Sequence, residues 1–371
     1  MSPQHMAEMF QIQASACDAL GSRFYGVLLQ RIAKDILSDG PSAAVLAGHE
    51  DDPGPSALAL RLMGAVHYLV LTGDAPDLAA HFPSVGGDGD PVRTWPALRD
   101  LFRTAPLELA AGLHHAPQTN EVGRAAALFG ALLHIAGPDP LPVRLFEIGA
   151  SGGLNLRADR FCYRSADGHR YGPLSPVDLD PAWMTMPVSA PGPVHVVERR
   201  GADLAPIDPT TPDGAARLTS FVWPDQADRL RRLRGAMLVA GQYPVRLETC
   251  TAAAFVDAIE PVDGHLTVLW HSVVLQYLDA AEKVRLADGI NRIGSAATDL
   301  APFAHISFEP RRLTAGGVRR YLVTAETWSG HGKVAEHTIL GEAPAHGMPV
   351  TWGEPRPDRV RPAPDGPQWP A

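Results

Sequence analysis

Leu145-Phe146-Glu147-Ile148-Gly149-Ala150-Ser151-Gly152-Gly153-Leu154-Asn155-Leu156 is an apolar run that ends in small residues and then resumes with helical spacing. It reads as a buried strand, Val143 to Ile148, a tight glycine-rich turn, and a helix over Gly152 to Asp159. Residues with little or no side chain let backbone N–H groups, and the helix N-terminus behind them, come close to a ligand. Two phosphate-binding patterns fail here. G-x-G-x-x-G meets Gly149, Ser151 and then Leu154, and no Gly-Lys-Ser/Thr follows to make a Walker A loop. The plainer alternative is that the glycines only shape a strand-to-helix turn.

Downstream of the turn, short β-branched or apolar runs alternate with helical patterns. The runs are Val194 to Glu198, Val245 to Glu248, Leu266 to His271 and Phe303 to Phe308, and helices are expected over Gln226 to Ala240, Thr251 to Ile259 and Asp279 to Ile293. Strand and helix in alternation predict right-handed crossovers and a parallel sheet covered on both faces, an α/β fold. Arg320 to Thr327 and Lys333 to Ile339, joined by Trp328-Ser329-Gly330-His331-Gly332, predict a closing antiparallel hairpin. Upstream, Met6 to Leu20, Phe24 to Leu37, Ser56 to Leu71, Trp95 to His114 and Glu121 to Ala136 carry apolar residues at helical spacing. The expected organisation is a helical cap domain over 1–140, an α/β domain over 141–356 with an insertion near 160–193, and a flexible tail over 357–371. The insertion is expected as a small hairpin over the site, around Asp167-Gly168.

The chain has 371 residues, 45% hydrophobic and 20% charged, which excludes disorder and fibrous architectures. A net charge of −9 argues against nucleic acid and anionic membranes, and leaves a small molecule or a protein as the expected partner. Cys17, Cys162 and Cys250 form no CxxC, so neither a disulfide framework nor a zinc site is expected. His114-His115 cannot place both rings on one helix face, so no metal is expected there either. Met1-Ser2-Pro3-Gln4-His5 lacks a basic start and an apolar core, and Ala125 to Gly137 is too short for a bilayer. The expected location is the cytoplasm; the oligomeric state is not legible.

Five parallel strands followed by an antiparallel hairpin resemble the Rossmann-like layout of class I S-adenosylmethionine-dependent methyltransferases. Glu147, Gly149, Ser151 and Gly153 are similar to the first motif of those enzymes, a strand-end acid followed by Gly-x-Gly-x-Gly, with Ser151 in place of the middle glycine. The resemblance implies S-adenosylmethionine as cofactor, lying over Gly149, Ala150, Ser151, Gly153 and Asn155, with Glu147 orienting the turn or the amino group. It further implies Glu198 on the ribose hydroxyls, Glu248 or Thr249 at the adenine, and His271, Ser272, Gln276 and Tyr277 facing the methyl group. A carboxylate suits two vicinal donors, and a histidine near neutrality suits a general base. Each has a plainer reading: Glu198 as a solvated charge beside Arg199 and Arg200, Glu248 as surface near a cap at Thr251, and His271 as a satisfied core histidine. A valine at Gly149 is expected to block the cofactor and spare the fold.

Across most of its length the chain also resembles bacterial, largely actinobacterial, proteins carrying a domain of unknown function. The resemblance rests on Gln118-Thr119-Asn120-Glu121-Val122-Gly123-Arg124, the glycine turn, Asp159-Arg160-Phe161, Arg200-Gly201-Ala202-Asp203-Leu204-Ala205-Pro206-Ile207-Asp208 and Val222-Trp223-Pro224-Asp225-Gln226. Asn120 reads as a helix cap and Glu121 as a charge on the helix dipole. Gln118 and Arg124 are left over, so Gln118, Asn120, Glu121 and Arg124 are candidates for a substrate-pocket wall. Trp223 flanks a ligand or fills core. Methyl transfer to a small molecule is thus the leading expectation. Gly149-x-Ser151-x-Gly153 also has the letters of a nucleophile elbow, so a serine hydrolase using Ser151, an acid such as Glu309, and His331 or His337 is the alternative. A non-catalytic protein on the same fold is the third reading.

Overall fold

The computed structural model describes residues 3–50, 52, 56–115, 117–137, 139–189, 192–314, 317–330 and 335–355. The chain opens with α1 (Pro3–Ala19), α2 (Arg23–Leu37), α3 (Pro41–Val45), α4 (Leu58–Thr72), α5 (Pro76–Ala79), α6 (Pro91–Thr104) and α7 (Pro106–Gly112). α8 (Ala125–Ala136) leads into β1 (Val143–Ile148), followed by β2 (Cys162–Ser165), β3 (Arg170–Tyr171), β4 (Asp178–Trp183) and β5 (Val196–Asp203). Then come α9 (Pro212–Ser220), α10 (Ala227–Gln242), β6 (Arg246–Thr249), α11 (Ala252–Asp257), β7 (Leu266–Ser272), α12 (Ala280–Ala296), β8 (Phe303–Arg312), β9 (Arg319–Trp328), β10 (Glu336–Ala343) and β11 (Thr351–Trp352). Contacts divide the described residues into two compact units: 1–119 with 211–231, and 120–210 with 232 onward.

In the helical unit, proline marks where helices start. Pro41, Pro76, Pro91 and Pro106 sit in first turns, where the missing N–H costs nothing. Pro106 also divides the expected Trp95–His114 helix into α6 and α7. The core gathers Phe10, Tyr25, Leu28, Ile32, Phe82 and Phe102. The 211–231 segment completes it. Phe221 lies so close to Gly64 that a Cβ there would come within 2.6 Å of the ring. Asp225 accepts from Ser22 Oγ at 2.6 Å and from the Phe24 amide at 3.1 Å, and Trp223 is 7% exposed among the core residues. Trp223 is therefore core filler, and Asp225 helps to cap the start of α2.

The second unit is built on an eight-stranded sheet in the order β11-β10-β9-β8-β7-β1-β5-β6. β6, β5, β1, β7 and β8 are mutually parallel, and the antiparallel β9 begins a meander through β10 to β11. This is an α/β architecture with a mostly parallel sheet, consistent with a Rossmann-like fold. β1 is central and the strand order reverses around it, which puts its carboxyl end at the switch point of the sheet. The second parallel strand runs on to Asp203 rather than stopping at Glu198. The plainer reading has Glu198 as a solvated strand-end charge beside Arg199 and Arg200, but Arg199 pairs with Asp159 at 2.5 Å and Arg200 with Glu248 at 2.7 Å, so both arginines fit inside the sheet. The insertion forms a separate sheet, β3-β2-β4, seated on α8: Trp183 Nε1 donates to Ala126 O at 2.9 Å, and Tyr163 stacks between Phe129 and Trp183. His331, Gly332 and the 357–371 tail lie outside the described residues. Among those described, no helix is long and apolar enough to cross a membrane.

Candidate functional site

The chain turns sharply after β1, with φ at +66° for Gly149, +51° for Ser151 and +63° for Gly153. A short 3-10 helix, Leu154–Arg160, follows in place of the expected α-helix. Four amides of the turn are taken by the protein itself. Ala150 N–H donates to Ala202 O at 3.0 Å, Ser151 N–H to Asp203 Oδ2 at 2.9 Å, Gly153 N–H to Ala150 O at 2.7 Å and Leu154 N–H to Asn120 Oδ1 at 2.9 Å. The space beside the glycines is also filled. A Cβ on Gly149 would lie 2.6 Å from Val274 Cγ2, and one on Gly153 would lie 2.9 Å from Leu247 Cδ2. The expected cradle of free backbone donors is thus a closely packed turn.

What the turn leaves open are acceptors. Glu147 Oε2, Ser151 Oγ and Asn155 Oδ1 are buried and have no hydrogen-bond partner among the described residues. Glu147 Oε1 accepts from Trp270 Nε1 at 3.1 Å, and Asn155 Nδ2 donates to Glu121 O at 3.3 Å. Burial pushes the Glu147 carboxyl up to about 8; the Trp270 N–H opposes this, Asp203 adds to it, and Arg157 and Arg124 oppose it. Buried groups of this kind recruit donors. The arrangement suits a ligand that brings ammonium or hydroxyl groups, not a phosphate.

Two arginines stand near these acids. Arg157 is 3% exposed and donates to Tyr243 O at 2.6 Å and Gly153 O at 2.8 Å; burial pushes its pKa down to about 10. Arg124 donates to Ser272 O at 3.3 Å and Ala345 O at 3.4 Å, and desolvation lowers its pKa too. Neither makes an ion pair with a carboxylate among the described residues. Arg157 escaped the sequence reading although it directly follows the glycine motif.

Other expected residues have different tasks. Asn120 caps no helix; its side chain fixes the turn at Leu154. Glu121 caps a 3-10 turn, Val122–Arg124, through the Gly123 amide at 3.2 Å. Gln118 and Trp223 belong to the helical unit. Glu198 lies opposite Arg144, near the start of β1, and pairs with it at 2.6 Å. Glu248 is held by Arg200 at 2.7 and 3.1 Å, and Thr251 caps α11. The acid at the carboxyl end of the second strand is Asp203, which sits inside the Arg200–Asp208 motif and was passed over only because the strand end was set too early.

His271 follows Trp270 in β7, so its side chain leaves the sheet on the face opposite Glu147 and Trp270. It is 1% exposed, and its Nδ1 lies 2.8 Å from Glu309 Oε1. Glu309 also accepts from the amides of Val274 at 2.9 Å and Leu275 at 3.4 Å. Burial raises its pKa, but these bonds outweigh that and hold it below the usual glutamate value. Tyr277, on the 3-10 turn after β7, is 58% exposed. Among the described residues, which leave out His331, the hydrolase triad is not assembled: Ser151 Oγ has no hydrogen-bond partner, Glu309 serves His271, and His337 faces Glu326 at 3.4 Å. No group of three or more His, Cys, Asp or Glu side chains suited to a metal occurs among the described residues.

No curated protein matches the chain. A family model does match residues 7–352, taking in the glycine turn, the Asn120–Arg124 segment that fastens it and Asp203 that anchors it, and the chain belongs to that family, described as Uncharacterized protein conserved in bacteria (DUF2332).

Proposed function

We propose that this chain binds S-adenosylmethionine at the glycine turn and transfers its methyl group to a small-molecule acceptor. The reading is carried by Glu147 Oε2, Ser151 Oγ and Asn155 Oδ1, three buried oxygens without partners among the described residues, at the carboxyl end of the central strand. Ligands of open α/β sheets bind at that switch point. The order of the five parallel strands supports the class I methyltransferase reading, although the β8-β9-β10 meander and the Asp203 strand end refine it.

S-adenosylmethionine supplies, when bound, a methyl group on a cationic sulfonium. Glu147, once ionised, would hold the amino group, and Arg157 would receive the carboxylate through its remaining N–H groups. Asp203 would stand in place of Glu198 as the acid for the ribose hydroxyls, and Glu248 is not open to the adenine because Arg200 holds it. Tyr277 is accessible to an acceptor and His271 offers only Nε2 from a buried position, so the rate rests on positioning more than on base catalysis.

Titration calorimetry at pH 7 tests this. A Glu147 carboxyl with a pKa of about 8 carries a proton at that pH and must lose it to hold an ammonium group. Micromolar binding of S-adenosylmethionine is expected, with a heat that varies with buffer ionisation enthalpy as proton release requires. Glu147→Gln should abolish the release and weaken binding by about tenfold or more. Folded protein that binds neither S-adenosylmethionine nor S-adenosylhomocysteine at millimolar ligand would end the proposal.

A further inference from the structure

We propose that the face shared by α2 and α6 binds a small anionic molecule carrying a flat ring, independently of the glycine turn. A cavity of about 560 Å³ opens there, lined among others by Gln30, Arg31, Lys34, Asp35, Trp95 and Arg99. That volume is typical of small-ligand pockets. Gln30, Arg31, Lys34 and Asp35 recur at three- and four-residue spacing on one face of α2, and Trp95 and Arg99 are four apart on α6.

The charge in the cavity is unbalanced. Three cations face one carboxylate, and that carboxylate is already engaged. Asp35 accepts from Arg99 Nε at 2.8 Å, the Ser42 amide at 3.0 Å and Ser42 Oγ at 2.7 Å. Burial raises its pKa, but these bonds and the Arg99 charge outweigh that and hold it below the ordinary aspartate value. Arg31 and Lys34, three residues apart on the same helix face, make no ion pair among the described residues. Like charges so placed repel each other, and here they do so in a chain of net charge −9. An anion seated between Arg31, Lys34 and the outer N–H groups of Arg99 relieves that repulsion through charge-assisted hydrogen bonds.

Trp95 supplies the second half of the recognition. Part of its ring packs on the helical core while another part lines the cavity, so a planar ligand has an aromatic wall beside two guanidinium planes. Gln30 adds an amide for a polar substituent. With so few apolar side chains in the lining, a fatty acyl chain is a poor fit, and a ring bearing a phosphate or carboxylate is a good one.

Calorimetry on the full chain with 1-naphthyl phosphate, inorganic phosphate and 1-naphthol separates the two halves. The phosphate ester should bind about tenfold more tightly than either inorganic phosphate or 1-naphthol. Arg31→Glu with Lys34→Glu, the first half-buried and the second exposed, should weaken binding of the ester by about tenfold or more while the chain stays folded by circular dichroism. Trp95→Leu should remove the advantage over inorganic phosphate. Failure of the folded chain to bind millimolar naphthyl phosphate overturns the proposal, as does unchanged affinity in the Arg31/Lys34 double variant or naphthol binding as tight as that of its phosphate.

Discussion

Gly149 is small because of Val274. Its φ of +66° and the 2.6 Å approach of Val274 to the position of a Cβ both oppose any side chain. We expect Gly149→Ala to cost about 1–3 kcal/mol in urea unfolding, since strain and overpacking act together; an unshifted midpoint would refute this packing role. Gly149→Val therefore cannot block a ligand while sparing the fold, and Glu147 is the cleaner position to test. Between roughly pH 4.5 and 8 the native protein keeps a proton on Glu147 that the unfolded chain has lost. The stability this confers is complete below the unfolded value and gone once pH passes about 8, at a slope of at most about 1.4 kcal/mol per pH unit. Urea midpoints measured from pH 5 to 8 should fall in the wild type and stay flatter in Glu147→Gln. At this scale the sequence displayed the acid and the small residues. That Asp203, Asn120 and Ala202 take amides of the turn was hidden, because those partners come from two distant parts of the chain.

The loop after β7 is held by a single carboxylate. Glu309 gathers His271 Nδ1 and the amides of Val274 and Leu275, next to Val273, a β-branched residue at φ +54°. Glu309→Ala strands those donors, and we expect a loss of about 2–4 kcal/mol together with faster amide hydrogen exchange over 273–277. Exchange at the wild-type rate would show that the loop is held by something else. Because the folded pKa of Glu309 lies below its ordinary value, its contribution is present above the unfolded pKa and is lost as pH falls through the folded one. Elements whose apolar pattern is unbroken were legible to within a residue or two, β1 at Val143–Ile148 and β7 at Leu266–Ser272 among them. β5 was misread because sequence shows the charges of Arg199 and Arg200 and not the carboxylates that neutralise them. The insertion was recognised as an insertion, but its seat on α8 depends on Trp183, Tyr163 and Phe129 meeting, which local pattern does not encode.

The helical unit is not one stretch of chain. Phe221, Trp223 and Asp225 return to fill its core and to cap α2, so a boundary at residue 140 cuts away part of the packing. A fragment of residues 1–140 is expected to show helical content by circular dichroism but no cooperative melt; sharp two-state unfolding would contradict the need for 211–231. The sequence itself shows a change of periodicity near Pro142. The discontinuity was not visible in it, because nothing in the 211–231 pattern says which core it serves. On the ribosome this shape imposes a delay. After Thr119 has been added, the first helices must wait until residue 231 has emerged, which at roughly 5–20 residues per second takes about 6 to 20 seconds. During that interval the surface around Gly64 and Tyr25 is uncovered, and a nascent-chain chaperone has its opportunity there.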